Sequence, residues 1–293
     1  MLTGSMVALV TPFDSSGAVD EEALRHLVQW HIEQGTDVLV PCGTTGESAT
    51  LSHEEHVQVI RIVVQEAAGR VPVLAGTGSN CTREAIELTQ RAKSVGADAA
   101  LVITPYYNRP PQRCLVNHFE AVARQAGLPI IVYNVPSRTG CNLLPETMAR
   151  LAECPGVVGL KDAAGDLKQT SDTLELCGDK IVLLSGEDFI TLPILSVGGR
   201  GAISVVANLA PGQCKDLMTS FFAGRLDKAR SIHYELLPLC RACFLPGEVN
   251  PIGAKESLAQ MGRLQPVFRM PLEGLNEDKR KVLRELLQQG GVL

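Results

Sequence analysis

The chain has 293 residues and a mass of 31.4 kDa, a length that suits a single α/β barrel. Its 27 Lys and Arg against 32 Asp and Glu give a net charge of −5, which argues against nucleic acid or anionic membranes as partners. There is no apolar stretch of about 18 residues and no basic segment ahead of an apolar one at the start, so we expect a cytoplasmic protein without a membrane span.

Short, continuously apolar segments recur along the first two thirds of the chain. Their lack of alternation is typical of strands that are buried on both faces of a parallel sheet. The sequence therefore predicts eight strands, over residues 5–10, 37–41, 72–76, 98–104, 129–133, 157–161, 181–185 and 201–205.

Stretches of helical period separate these strands. Ser52 and Glu55 have the spacing of a capping box, and glycines that can close a helix in the left-handed conformation stand just before most of the strands. These glycines are Gly35, Gly69, Gly96, Gly127, Gly156, Gly178 and Gly198.

The regular strand–helix alternation predicts a TIM (β/α)8 barrel in the α/β class, because right-handed crossovers leave few other arrangements. A doubly wound open sheet would need a glycine-rich phosphate turn after the first strand, and residues 10–13 are VTPF instead. We expect the barrel over residues 1–224 and a C-terminal helical extension over residues 225–293, with helices at 226–239, 253–261 and 277–289.

The cysteines and histidines do not indicate a metal or disulfide framework. Nine cysteines are scattered through a large chain, which favours reduced thiols, and the Cys240/Cys243 pair has no second ligand pair nearby. His53 and His56 are three residues apart rather than at zincin spacing. We therefore expect no metal and interpret the Cys240/Cys243 pair as structural.

In a barrel of this type the active site lies where the strands end. Lys161 closes an apolar strand, so burial would favour a neutral amine able to attack a carbonyl and form a Schiff base. The alternative is a structural lysine paired with Asp162 or Asp188, and position alone leaves the two readings about equal.

Hydroxyl groups at neighbouring strand ends favour the catalytic reading. Tyr133 ends the fifth strand and can carry a proton to and from a carbinolamine. Thr44 and Tyr107 can extend a hydroxyl chain from it, although Tyr107 alone would be read as an ordinary loop aromatic.

Two elements near these strand ends suit carboxylates. Residues 43–46 (GTTG) predict a turn with exposed backbone N–H groups. Arg138, just beyond Tyr133, would grip a second carboxylate with its guanidinium; the alternative for this residue is a surface salt bridge.

Four motifs together resemble the pyruvate-dependent class I aldolases of the dihydrodipicolinate synthase/N-acetylneuraminate lyase superfamily. The resemblance runs from about Gly4 to Asn208 and less distinctly through the helical tail. Within the superfamily, Arg138 favours the dihydrodipicolinate synthase branch, because sialic-acid lyases carry an uncharged residue at the matching place. The motifs are GTTGE at 43–47, YNVP at 133–136, GLKD at 159–162 and GAISV at 201–205.

The resemblance implies an activity without a cofactor: condensation of pyruvate with L-aspartate 4-semialdehyde to 4-hydroxy-tetrahydrodipicolinate, the first committed step towards diaminopimelate and lysine. By the same resemblance the chain would form a homotetramer, a dimer of dimers. The resemblance implies that Lys161 forms the imine, that Thr44 and Thr45 bind the pyruvate carboxylate, and that Arg138 binds the carboxylate of the semialdehyde. Ile203 would present its backbone carbonyl to the site, and Gly186 would bind substrate. Tyr133 would relay protons through Thr44 to Tyr107, which would cross a dimer interface.

A second site is also implied by the resemblance. Seven residues match positions that bind L-lysine as a feedback inhibitor in sensitive members of the family; the alternative is a set of solvated helix-start residues. One departure is Glu187, where the family often has aspartate. The seven residues are Ser48, Ala49, His53, His56, Asn80, Glu84 and Tyr106.

Two other functions remain open from the sequence. A sister pyruvate-dependent aldolase or dehydratase for a sugar acid would use the same lysine, but Arg138 argues against it. A catalytically silent barrel used for binding or regulation would be expected to lack Lys161, Tyr133 or Thr44, and all three are present.

Overall fold

Residues 2–293 are described by a computed structural model, and they contain eight parallel strands arranged as a barrel. The order is β2-β1-β8-β7-β6-β5-β4-β3, and a parallel bridge between Leu39 and Val73 joins the two ends. All eight predicted strands are confirmed. They are β1 (Gly4–Ala8), β2 (Val38–Val40), β3 (Leu74–Gly76), β4 (Ala99–Ile103), β5 (Ile130–Asn134), β6 (Val157–Asp162), β7 (Val182–Ser185) and β8 (Gly201–Ser204).

Twelve helices lie outside the barrel or follow it within residues 2–293. In chain order they are α1 (Glu21–Glu33), α2 (His53–Ala67), α3 (Thr82–Ser94), α4 (Gln112–Ala126), α5 (Pro136–Thr139), α6 (Pro145–Ala152), α7 (Leu167–Cys177), α8 (Thr191–Ser196), α9 (Pro211–Phe222), α10 (Leu226–Cys243), α11 (Ile252–Gln260) and α12 (Glu277–Gln289). None of them is both long and apolar enough to cross a membrane.

Side chains of one strand alternate between two buried layers. Met6 and Ala8 of β1 point into the barrel, whereas Val7 packs against the surrounding helices. This burial on both faces explains why the strands appear in the sequence as unbroken apolar segments.

The predicted local signals are present at the helix ends. The Ser52 hydroxyl accepts a hydrogen bond from the backbone N–H of Glu55, and the Glu55 carboxylate accepts one from the N–H of Ser52. Gly127 ends α4 with φ +72°, a conformation that a residue with a Cβ adopts only at a cost. Turns of this kind return the chain to the next strand.

The C-terminal helices share the core of the barrel. Leu239 of α10, Leu258 of α11 and Leu283 of α12 are fully buried in the same apolar cluster as the outward faces of the strands. The division at 224/225 falls in the turn between α9 and α10, and a separate extension stays a prediction. Cys240 and Cys243 are buried free thiols of α10, and burial raises the pKa of both, as suits the structural interpretation.

Candidate active site

Lys161 lies near the end of β6, beside Tyr133 of β5 in the strand register. The lysine is 6% exposed, and its Nζ lies 4.1 Å from the centre of the Tyr133 ring. Gly186 packs against its stem: a Cβ on that glycine would come within 2.9 Å of Lys161 Cε. The strand register and the glycine together hold the amine at the mouth of the barrel.

The structural alternative for Lys161 is an ion pair, and the described residues do not form one. No carboxylate oxygen of residues 2–293 lies within 4.0 Å of Nζ. Asp162 instead accepts hydrogen bonds from the Thr170 hydroxyl (2.7 Å) and the Ala164 N–H (3.0 Å). Asp188 accepts hydrogen bonds from the N–H groups of Val205 and Val206.

The surroundings of Lys161 favour a neutral amine. Its pKa is lowered from an ordinary value of 10.5 to about 8, chiefly by burial and also by the charge of Arg138. Asp188 and Glu187 oppose this shift, since their negative charges stabilise the ammonium form. A substantial fraction of the amine is therefore unprotonated in mildly alkaline solution, as a nucleophile for a carbonyl requires.

We expect the rate of imine formation to vary with pH in the same way as the unprotonated fraction of the Lys161 amine. The ammonium form cannot attack, so the rate of adduct formation with pyruvate should rise about tenfold per pH unit below the pKa of Lys161 and level off above it. Borohydride trapping at short times, from about pH 6 to about pH 10, measures this rate. A midpoint near pH 8 agrees with the structure, whereas a midpoint near the ordinary lysine value contradicts it.

Tyr133 lies between Lys161 and Thr44. Burial raises the pKa of its phenol, while Arg138 and a hydrogen bond with Thr44 lower it. The phenol is therefore protonated near neutral pH and has a hydroxyl neighbour through which a proton can pass. Tyr107, the third member of the predicted relay, is 90% exposed on its loop, so the single chain does not bring it to the other two.

The turn at residues 43–47 closes tightly on itself. The N–H groups of Gly46 and Glu47 donate to the carbonyls of Gly43 and Thr44, both at 3.1 Å, and the Thr11 hydroxyl donates to the Gly46 carbonyl at 2.7 Å. The turn is therefore present, but these two N–H groups bond within it and are not the exposed donors that the sequence predicts. Thr45 is buried within it, which limits the directions in which its hydroxyl can donate.

Arg138 also lies at the mouth of the barrel, across from the turn at residues 43–47. β5 ends at Asn134, and the short helix α5 places Arg138 over the barrel mouth, where it lines one cavity together with Thr44 and Tyr133. Its guanidinium donates to the carbonyl of Asn250 at 3.4 Å. Ile203 lies among the side chains inside the barrel, and neither it nor Lys161 is among the residues that line this cavity.

The cavity extends beyond Thr44, Tyr133 and Arg138. It has a volume of about 550 Å³, and most of the residues predicted for lysine binding line its other end. Glu84 accepts a hydrogen bond from His53 at 2.9 Å, and burial lowers the pKa of His56. Asn80 is not in the lining; its carbonyl accepts from the Asn108 side chain. The lining members of that set are Ser48, Ala49, His53, His56, Glu84 and Tyr106.

Several residues of the site were not predicted from the sequence. Asn250 donates from Nδ2 to the Thr45 hydroxyl at 2.9 Å. Lys255 and Glu47, 0% and 1% exposed at their side chains, form an ion pair at 2.6 Å behind the turn. The contacting residues are separated by 205 and 208 positions in the chain, and no periodicity or local motif indicates such pairs.

A barrel with a buried lysine that forms no ion pair, a neighbouring tyrosine and two elements suited to carboxylates defines a class of Schiff-base-forming lyases. The family model described as "Dihydrodipicolinate synthetase family" matches residues 1–290, and the chain belongs to that family. The prediction of a Schiff-base-forming lyase is confirmed at the level of this family.

Individual relatives and solved structures match this chain over nearly its whole length. A 4-hydroxy-tetrahydrodipicolinate synthase of Nitratidesulfovibrio vulgaris (strain DP4) is 56% identical over 292 residues, covering 99% of both chains. The dihydrodipicolinate synthase of Acinetobacter baumannii complexed with pyruvate is 44% identical, with a TM-score of 0.97 and full coverage of both chains. The enzyme of Cyanidioschyzon merolae with lysine bound is 38% identical, with a TM-score of 0.95 and 99% coverage of both chains.

Proposed function

We propose that this protein condenses pyruvate with L-aspartate 4-semialdehyde to give 4-hydroxy-tetrahydrodipicolinate, the first committed step of diaminopimelate and lysine biosynthesis. The observation that carries the proposal is the buried, unpaired amine of Lys161 beside Tyr133, with its pKa lowered to about 8. The name of the Nitratidesulfovibrio vulgaris relative and the pyruvate complex of the Acinetobacter baumannii enzyme support it.

The proposed reaction begins at Lys161. Its neutral amine adds to the carbonyl carbon of pyruvate, whose carboxylate accepts hydrogen bonds from the turn at Thr44 and Thr45. Loss of water gives a protonated imine, with Tyr133 supplying a proton to the departing oxygen. Removal of a proton from the methyl carbon then gives an enamine, which is the carbon nucleophile.

The enamine carbon attacks the aldehyde carbon of the semialdehyde, and the aldehyde oxygen takes up a proton to become the hydroxyl of the product. The amine of the semialdehyde then adds to the imine carbon and displaces Lys161, which closes the ring and restores the free lysine. Tyr133 and Thr44 pass protons in both steps. Tyr107 of a neighbouring subunit would complete the relay, as its exposure in the single chain allows.

Arg138 is the group proposed to select the second substrate. Replacing Arg138 with leucine is expected to raise KM for the semialdehyde about 100-fold, because a charge-assisted contact to its carboxylate is lost. KM for pyruvate should change much less. Steady-state kinetics with each substrate varied in turn measure both effects.

Arg109 provides a matched control for this prediction, since it is an exposed arginine at the same mouth that donates to the Gly140 carbonyl. Arg109→Ala should leave KM for the semialdehyde close to that of the unaltered enzyme. Assaying the unaltered enzyme with sugar-acid aldehydes tests the alternative, a sister aldolase. A preference for those aldehydes over the semialdehyde would overturn the proposed function.

We further propose that L-lysine inhibits the enzyme by binding at the far end of the cavity. Glu84 lies there beside His53 and would pair with the α-ammonium group of lysine, and Tyr106 would contact its carboxylate. The lysine-bound structure of the Cyanidioschyzon merolae enzyme supports this proposal. Because one cavity reaches from these residues to Thr44, an occupant can act on the site directly.

Glu84→Gln is expected to raise the lysine concentration needed for half-inhibition at least tenfold, with little change in uninhibited activity. The reason is the loss of an ion pair to the inhibitor. Glu87 lies on the same helix with its side chain exposed, so Glu87→Gln is the control and should keep the original sensitivity. Equal sensitivity of the Glu84 variant would place the inhibitor elsewhere.

The remaining expectations concern assembly and location. We propose a homotetramer, a dimer of dimers, in which Tyr107 of one subunit enters the site of its neighbour. Analytical ultracentrifugation tests the assembly. A cytoplasmic location is part of the same proposal.

A further inference from the structure

Asn250 connects the C-terminal part of the chain to both carboxylate-binding elements of the site. It lies in the loop between α10 and α11 and is 6% exposed. Its Nδ2 donates to the hydroxyl oxygen of Thr45 at 2.9 Å, and its backbone carbonyl accepts from Arg138 at 3.4 Å. It also lines the cavity that contains Thr44 and Tyr133.

The bond to Thr45 determines what that hydroxyl can do. A threonine hydroxyl has one hydrogen to donate and lone pairs that accept. Since Asn250 already occupies the oxygen as a donor, the hydroxyl hydrogen is left free for another acceptor; Thr45 itself does not line the cavity, but its neighbour Thr44 does. A ligand carboxylate is such an acceptor.

We propose that Asn250 is a positioning residue for pyruvate binding: it orients the Thr45 hydroxyl as a donor and holds the guanidinium of Arg138 at the cavity wall. This inference rests on the proposed function, since it assigns the Thr44–Thr45 turn to the pyruvate carboxylate. Asn250 does not itself contact the reacting atoms; it acts through Thr45 and Arg138.

The loop that carries Asn250 is fixed from behind. Lys255 of α11 forms its buried ion pair with Glu47 and donates to the Val267 carbonyl at 2.7 Å. Arg269 donates to the Thr50 carbonyl at 2.9 Å and pairs with Glu55 at 2.6 Å. These contacts hold the C-terminal segment against the last residue of the turn and against Thr50 and Glu55 beyond it, so the distance from Asn250 to Thr45 is set by the fold.

A purely structural role suits Asn250 poorly. Its Oδ1 is buried and has no hydrogen-bond partner among the described residues, and a buried unpaired oxygen destabilises the fold. The amide therefore has one side-chain interaction, with the residue proposed to bind substrate.

Two substitutions separate positioning from packing. Asp is nearly the same shape as Asn, so a structural role predicts that Asn250→Asp is milder than Asn250→Ala. An ionised aspartate only accepts hydrogen bonds, and it would therefore take the Thr45 hydroxyl hydrogen away from the ligand and place a negative charge near it. The proposal predicts the opposite order.

In steady-state kinetics we expect KM for pyruvate to rise about tenfold in Asn250→Ala and about 100-fold in Asn250→Asp, with kcat at saturating pyruvate changed by less than about threefold. In a Thr45→Val background, Asn250→Ala should have no further effect on KM, because the interaction is already lost. An Asp variant no worse than the Ala variant, or additive effects of the two substitutions, would overturn the proposal.

Asn276→Ala is the matched control. Asn276 caps α12 in the same C-terminal segment by accepting from the Lys279 N–H, so its loss lowers the melting temperature while KM for pyruvate should stay unchanged. Borohydride trapping of pyruvate on Lys161 in the unaltered enzyme tests the proposed function independently. If that adduct forms and the Asn250 variants bind pyruvate normally, the inference fails and the proposed function stands.

Discussion

Replacement of Lys161 with methionine is expected to abolish the pyruvate adduct that borohydride traps. The reason is that, among residues 2–293, no other amine lies beside Tyr133 with its pKa lowered by burial. We expect kcat/KM to fall about 1,000-fold, which corresponds to about 4 kcal/mol of transition-state stabilisation. Mass spectrometry of the reduced protein measures the adduct, and peptide mapping assigns it to a residue.

Two variants serve as controls for that result. Lys161→Arg retains a positive charge without a nucleophilic amine, so it should also form no adduct. Lys168 is an exposed lysine that pairs with Asp172 on α7, and Lys168→Met should form the adduct at the original rate. A stoichiometric adduct in Lys161→Met, or an adduct mapped to another lysine in the unaltered protein, would refute the Schiff-base proposal.

Removal of the Lys255 charge is expected to lower the free energy of unfolding by about 3–5 kcal/mol. Lys255→Met leaves the Glu47 carboxylate buried without its partner and removes the contacts of the ammonium with the Val267 carbonyl and the Phe13 ring. Glu47 keeps one weak contact, from the Arg269 N–H at 3.4 Å. Denaturation by urea, followed by circular dichroism, measures the loss.

A double variant tests the reason given for this loss. In Lys255→Met/Glu47→Leu neither charge of this pair remains, so we expect the unfolding free energy to recover by more than half relative to Lys255→Met alone. The exposed pair formed by Lys281 and Asp278 on α12 is the control: Lys281→Met should cost less than about 1 kcal/mol. A loss of similar size in both single variants would contradict the argument from burial.

The barrel could be predicted because its signals are local. Each strand is buried on two faces, so most of its length is apolar, and several helix ends carry a glycine or capping residue that is visible in the sequence. The positions of Lys161 and Tyr133 followed from the rule that parallel strands place their carboxyl ends at one mouth. The resemblance added the assignment of substrates, which no local pattern could supply.

The contribution of the C-terminal segment could not be predicted in the same way. Residues 225–293 were interpreted as a helical extension, and nothing in their periodicity indicates that Asn250 and Lys255 reach the turn at residues 43–47. Nor did the sequence indicate that six of the seven predicted inhibitor residues share one cavity with Thr44 and Arg138. Contacts between distant residues depend on how the segment crosses the barrel mouth, and that path is a property of the tertiary structure.

The ion pair between Lys255 and Glu47 also bears on the order of events during synthesis of the chain. All eight strands have been made once Ser204 is added, so the barrel can begin to close while the last third of the protein is still on the ribosome. Glu47 then has no cation beside it, and Thr45 lacks the donor that orients it, until the segment from Asn250 onwards emerges. The two contacts that the C-terminal segment makes with this turn, the ion pair to Glu47 and the hydrogen bond to Thr45, therefore form only after residues 250–255 have emerged.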